Sequence, residues 1–190
     1  MAAPALSSLR ELREHPFDLL RELERRSQVA QAGSGAESGE LREWVGIGFR
    51  LGAEQYIVPR EEIREVLMVP GSITRVPGAK AWLRGLANVR GHLLPLVDLR
   101  AFLGAGSGGS GRAARVLVLN SSEYPVGLLV DEVYGFRRFL DSEHSSELPE
   151  TMIRCERYLS GSFQRGEERW PVFSTRRLLA ADEFLQAAAD

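Results

Sequence analysis

Leu86, Asn88 and Arg90, followed by Gly91, form the grouping of this chain with the most chemical definition. In an extended strand alternate residues share a face, so an amide and a guanidinium stand together while Ala87 and Val89 point the other way. A guanidinium presents five donors in a rigid fork, suited to a carboxylate or other polar group. Two readings follow. Arg90 holds a loop of its own chain, or it is displayed rigidly for a partner, since arginine is favoured at interface hot spots.

Other residues with chemical potential carry less. Gly106, Gly108 and Gly111 have the spacing of a dinucleotide-binding fingerprint, but that motif needs a strand before it and a helix after it. Here a strand follows, so the stretch reads as a Gly/Ser loop. His15, His92 and His144 lie far apart, with no His partner four residues away and no nucleophile signature, and read as surface histidines. Cys155 is the single cysteine, which excludes an intrachain disulfide and multi-cysteine metal sites, and it reads as inert. The pairs Glu61/Glu62, Asp131/Glu132 and Glu167/Glu168 are adjacent residues that a strand turns to opposite faces, so they read as solvated surface. P-loop, metalloprotease-helix and nucleophile-elbow patterns are absent. No enzyme, cofactor or metal is expected.

The elements that must position Arg90 are short. Strand pairs are expected at 45–51 with 56–58, and at 85–90 with 93–99 around the turn Arg90-Gly91-His92. EEIREVLMV is a short apolar stretch between them. Pro95 cannot donate a ladder hydrogen bond, so its strand is expected at an edge or bulged. After the loop at 104–111 come strands at 115–120 and 126–133, then a polar loop to about Pro149. A further strand pair, 158–165 with 169–173, precedes an amphipathic closing helix from Ser174, with a tail to residue 190. Ahead of the core at 44–181, residues 1–43 read as a helical extension with a flexible linker. Ser8 and Glu11 match a capping box. A second helix from Pro16 to about Gln28 places Phe17, Leu20 and Leu23 on one face, a candidate docking face for the core or a partner. AGSGAESGE at 32–40 is the linker.

Composition bounds the reading. A 190-residue chain that is 44% hydrophobic and 26% charged suits one globular domain with an appendage. Its net charge of −2 argues against a protein built to grip phosphate backbones. No run approaches ~18 apolar residues, and the N-terminus is charged where a signal peptide needs an apolar core, so a cytoplasmic location is expected.

The chain also resembles itself. Residues from Ile47 overlie residues from Leu117 at an offset of 70, with Glu61-Glu62-Ile63 on Asp131-Glu132-Val133. Asn88-Val89-Arg90-Gly91 then falls on Phe163-Gln164-Arg165-Gly166 at 75, and Leu94-Pro95-Leu96 on Trp170-Pro171-Val172 at 76. Two similar units, each strand pair–linker–strand pair, packed side by side would leave a groove between them.

GLANVRGHLLPLVDLRAFLG at 85–104 resembles the signature of the CheW family, adaptors of bacterial chemosensory arrays. Ile63-Arg64-Glu65-Val66, Val76-Pro77 and the VGLLVDEV segment agree with the family in order and spacing. The resemblance implies a mainly β fold of two SH3-like five-stranded β-barrel subdomains with short helices. It also implies a non-enzymatic scaffold that joins the cytoplasmic signalling tip of a chemoreceptor to the regulatory domain of a CheA-type histidine kinase. The receptor contacts carry over to Ile63, Glu65, Gly85, Asn88, Arg90 and Gly91, and Gly127 matches a glycine that admits close approach of another chain. FDLLRELERRSQ, WVGIGFR and WPVF are similar to the subgroup serving type IV pilus twitching-motility systems. The second half departs most, at Arg165-Gly166-Glu167-Glu168-Arg169 and Ser174. The leading alternative is a small barrel binding single-stranded nucleic acid, opposed by the charge of −2 and by basic residues not clustered with aromatics.

Overall fold

Short apolar runs separated by turn residues become strands β1–β11 in the computed structural model, which describes residues 43–188. They are β1 (Glu43–Leu51), β2 (Glu54–Pro59), β3 (Ile63–Met68), β4 (Leu83–Val89), β5 (His92–Asp98), β6 (Arg115–Leu119), β7 (Gly127–Val130), β8 (Glu132–Leu140), β9 (His144–Ser145), β10 (Leu159–Arg165) and β11 (Glu168–Phe173). Three short helices accompany them: α1 (Leu99–Phe102), α2 (Thr175–Leu179) and α3 (Asp182–Leu185). The expected single closing helix is thus two, because Ala180 and Ala181 break it and Phe184 turns inward. The expected polar loop before Pro149 is shorter, since β8 runs on to Leu140.

The strands form a six-stranded sheet, β8-β1-β2-β11-β10-β9, and a five-stranded sheet, β3-β6-β7-β5-β4. In neither does the ladder run from the last strand back to the first, so five strands hold for one sheet and closed ladders for neither. Both bend until their edges approach. Only Asp141–Glu143 separate β8 from β9 at opposite ends of one sheet. In the other, Thr74 and Leu86 exchange two backbone hydrogen bonds of 2.8 Å, linking the chain beyond β3 to β4.

The repeat is present register for register. Ile47 faces Val58, as Leu117 faces Leu128 seventy residues later. Ile47 also faces Phe136, as Leu117 faces Val66, and both ladders bulge just beyond, at Tyr134 and Arg64. The parallel contacts Ile57–Val172 and Gly127–Leu96 correspond too. Two corrections follow. Phe163 faces Trp170 as Ala87 faces Leu94, so β10 matches β4 at an offset of 76, not 75. And the units are exchanged rather than side by side: β1–β2 joins β10–β11 from the second unit, and β6–β7 joins β4–β5 from the first.

The chain changes sheets twice, at Arg60–Glu62 and at Asp131, and the carboxylates expected on the surface sit there. Glu62 is buried and accepts from the Thr175 backbone N–H (2.6 Å) and hydroxyl (2.8 Å) at the start of α2. Asp131 accepts from the N–H groups of Gly52 (2.6 Å) and Gly109 (2.7 Å) and from Arg100 (3.2 Å). Adjacency along the chain kept these acids from pairing with each other, yet Glu62 is buried and Asp131 half-buried, while Glu61 is exposed.

One core cluster draws on both sheets, with Phe49, Tyr56, Ile63, Leu117, Leu128 and Phe173 among its buried members. Each sheet also wraps a smaller cluster of its own. Ala87, Leu94, Leu96, Val116, Val118 and Leu129 fill the five-stranded sheet; Ile57, Phe139, Phe163, Trp170 and Val172 fill the other. That explains why β7 is buried at every residue: its two faces point into different cores.

Candidate functional site

The β4–β5 hairpin closes through the two residues Arg90 and Gly91, with Val89 opposite His92. Their φ values of +52° and +86° are those of a type I′ turn, whose twist matches the flanking strands. Asn88 fixes the turn by accepting the Gly91 N–H at 2.9 Å. Arg90 is the single non-glycine residue with positive φ among the described residues, and its counterpart in the six-stranded sheet is Gly166, at +61°. An L-residue there costs about 1 kcal/mol. Retaining arginine where glycine is easier directs attention to its side chain, as local strain does at functional sites.

That side chain is 74% exposed and binds Glu65 of β3 at 2.8 Å. β3 and β4 are opposite edges of the five-stranded sheet, so the pair spans the gap left by the open ladder. Being exposed, the pair contributes only ~0–1 kcal/mol to stability. Its effect is to hold the guanidinium over a groove of about 380 Å³ lined by Arg64, Glu65, Arg90, His92, Leu93 and Pro125, among others. Leu93, 68% exposed, gives the groove an apolar contact next to the charge.

Glu65, Asn88, Arg90 and Gly91 therefore come together. Three other expected site residues do not. Ile63 is 1% exposed, in the shared core. Gly85 is buried at a bulge with φ +135°, where a Cβ would stand 2.2 Å from the Thr74 carbonyl oxygen. Gly127 is buried too, and a Cβ there would meet Val116 at 2.5 Å, so its close neighbour is its own core. Phe17, Leu20 and Leu23 lie outside the described residues. Leu93 was missed, although the alternation His92-Leu93-Leu94 marks it as the outward residue beside a buried Leu94.

The glycine-rich loop proves to be an anion cradle for the chain's own acids. Gly108 N–H donates to buried Asp98 (3.0 Å), which also caps α1 through Ala101 N–H (3.1 Å), while Gly109 serves Asp131. Burial pushes the Asp131 carboxyl up, but the Gly109 and Gly52 N–H groups and Arg100 outweigh it and hold it below the ordinary range. Cys155 is fully buried and its thiol is pushed up by that burial, which suits an unreactive residue. Among the described residues no group of three metal-ligating side chains converges, and no helix is long and apolar enough to cross a membrane.

Residues 45–183 match the family described as CheW-like domain. Protein PilI of Pseudomonas aeruginosa is 39% identical over 91% of this chain and 96% of its own length. Chemotaxis protein CheW of Helicobacter pylori is 31% identical, over 86% and 97%. Among solved structures, the scaffolding protein TtCheW of Thermoanaerobacter tengcongensis superposes with a TM-score of 0.64 at 22% identity, covering 75% of this chain and 96% of its own, a likeness of fold.

Proposed function

The chain belongs to the CheW-like domain family, and from that premise we propose that it is a non-enzymatic adaptor coupling the cytoplasmic signalling tip of a chemoreceptor to the regulatory domain of a CheA-type histidine kinase. The likeness to PilI over nearly the whole chain supports a place in a type IV pilus chemosensory system. In this reading the protein works in the cytoplasm at membrane-associated receptor arrays, and its two bent sheets stand for the two barrel-like subdomains of the family. The observation that carries the reading is Arg90, exposed on a positive-φ turn and held in place by Glu65 beside Leu93. Glu65, Asn88, Arg90 and Gly91 form the receptor-facing tip, with Ile63, Gly85 and Gly127 supporting it from the interior. The Phe17/Leu20/Leu23 face is a further docking element of the same proposal. No Phe, Tyr or Trp lines the groove, so the nucleic-acid reading gains nothing from it.

An acidic or carbonyl-bearing helical tip can displace Glu65 from Arg90 and keep the charge satisfied. Replacing Arg90 by Glu sets two carboxylates against each other and against such a partner. Arg90→Glu is expected to weaken binding of a receptor signalling-tip fragment by about 2–5 kcal/mol in calorimetry, with an unchanged circular-dichroism melt. A folded variant with unaltered receptor affinity removes Arg90 from the interface.

A further inference from the structure

Residues 63–130, which hold the whole five-stranded sheet, contain eight Lys and Arg against three Asp and Glu. The rest of the described chain, 43–62 and 131–188, contains ten against fifteen. The first part therefore carries +5 and the second −5, in a protein of net −2. Between Glu65 and Asp98 there is no acidic residue at all.

That acid-free stretch folds around a pocket of about 550 Å³ lined by Ile73, Arg75, Val76, Lys80, Leu83, Arg84 and their small neighbours, with Ser107 of the glycine-rich loop. Three cations face it and, among the described residues, no carboxylate does. Among the described residues none of the three makes an ion pair, whereas Arg50, Arg90, Arg100, Arg138, Arg157, Arg165 and Arg176 all do. Lys80 is the one lysine of the chain, half-buried, and its backbone is fixed by hydrogen bonds to Ala187 (2.9 Å) and from Leu83 (2.9 Å). Arg84 and Arg90 are six residues apart on β4 and its turn, ~20 Å in an extended strand, so this pocket is separate from the groove under Arg90.

We propose that Arg75, Lys80 and Arg84 form a binding site for a small phosphate-bearing anion. Like charges gathered in one concavity repel each other and raise the local potential, a cost that a multivalent anion removes. Guanidinium forks match phosphate oxygens in pairs, and the ammonium adds a point charge. A membrane surface cannot enter a concave site. The volume lies within the ~300–1,000 Å³ of small-molecule pockets, and Ile73, Val76 and Leu83 offer an apolar wall to the organic part of a nucleotide.

The single lysine makes the test direct. Full-length protein is acylated with an amine-reactive ester, and modification at Lys80 is followed by mass spectrometry with the α-amino group as reference. Saturating pyrophosphate or a nucleoside triphosphate is expected to slow Lys80 labelling about tenfold without changing the reference, as occupancy by mass action requires. Protection by both anions identifies the phosphate as the recognised part, and protection by the nucleotide alone identifies the nucleotide. The double variant Arg75→Ala/Arg84→Ala, at exposed positions, is expected to lose the protection while keeping its melting temperature. Equal slowing by sodium chloride at matched ionic strength overturns the proposal. So does protection by a glutamate decapeptide alone, which assigns the pocket to an acidic protein segment instead.

Discussion

The two sheets share strand order, register and even the position of a bulge, yet they are filled and charged in opposite ways. In the six-stranded sheet bulky rings fill the interior: Phe139 and Phe163 stack at 4.7 Å and Trp170 packs beside them. Glycines on β1 make room, since a Cβ on Gly46 would stand 2.6 Å from Ile57. In the five-stranded sheet the equivalents are reversed. Val116 stands where Gly46 does, and Gly127 where Ile57 does. The hairpin tips diverge as well. Arg90 is displayed, whereas Arg165, one step before the matching turn, is tied to Glu143 (2.7 Å) and the Arg138 carbonyl (2.7 Å) and lies over Phe139. Duplicated geometry thus leaves one copy to close and stabilise and the other to present a surface.

The reversed packing is the most severe place to break the comparison. Gly127→Ile alone is expected to destabilise by about 3 kcal/mol, because the new side chain overlaps Val116. Adding Val116→Gly recreates the arrangement of the six-stranded sheet, and a double-mutant cycle in urea should return about 1–2 kcal/mol. Strict additivity would show that the two positions are not a packing pair.

A smaller effect separates the crossover acids. Glu62→Ala is expected to cost about 2–3 kcal/mol, since the buried Thr175 N–H and hydroxyl lose their charged acceptor. Its counterpart Glu132, more exposed and paired with Arg50, should cost below ~1 kcal/mol. Equal costs in chemical denaturation would end the distinction between a buried and a solvated crossover.

The smallest effect is in pH dependence. The Asp131 carboxyl is lowered in the folded protein, so its stabilisation is complete above the ordinary value of 3.8 and fades as pH falls through the lower folded value. The stability difference between wild type and Asp131→Asn should stay constant from pH 7 to about pH 5 and shrink below about pH 4. A difference that persists at pH 2 would assign the role of Asp131 to shape rather than charge.

Much of this was legible in the sequence for local reasons. Alternation and turn residues located most of the strands, though β3 read only as an apolar stretch and 126–133 as one strand where β7 and β8 are two. The turn at Arg90-Gly91 followed from a glycine between two apolar runs. The one-residue error in matching β10 to β4 arose from aligning Arg90 with Arg165 by type. The backbone aligns Arg90 with Gly166, because positive φ is what the turn demands. Glu61 and Glu132 are solvated as expected, whereas Glu62 and Asp131 were misjudged, because enclosure of a carboxylate depends on which N–H groups arrive from distant segments. The residues around Arg90 were found by their pattern and by resemblance; its partner Glu65 was named with them, but not as its ion-pair partner.

By itself the sequence determined most of the strands, the repeat, the hairpin tip and the family, since each is written in residues close together along the chain. Only the tertiary structure decided which hairpin joins which. Both pairings, side by side or exchanged, satisfy the same offsets of 70 and 76 and the same alternation, so no local pattern tells them apart. The choice is made where the chain crosses, at Glu62 and Asp131, by hydrogen bonds to residues that the sequence places far away.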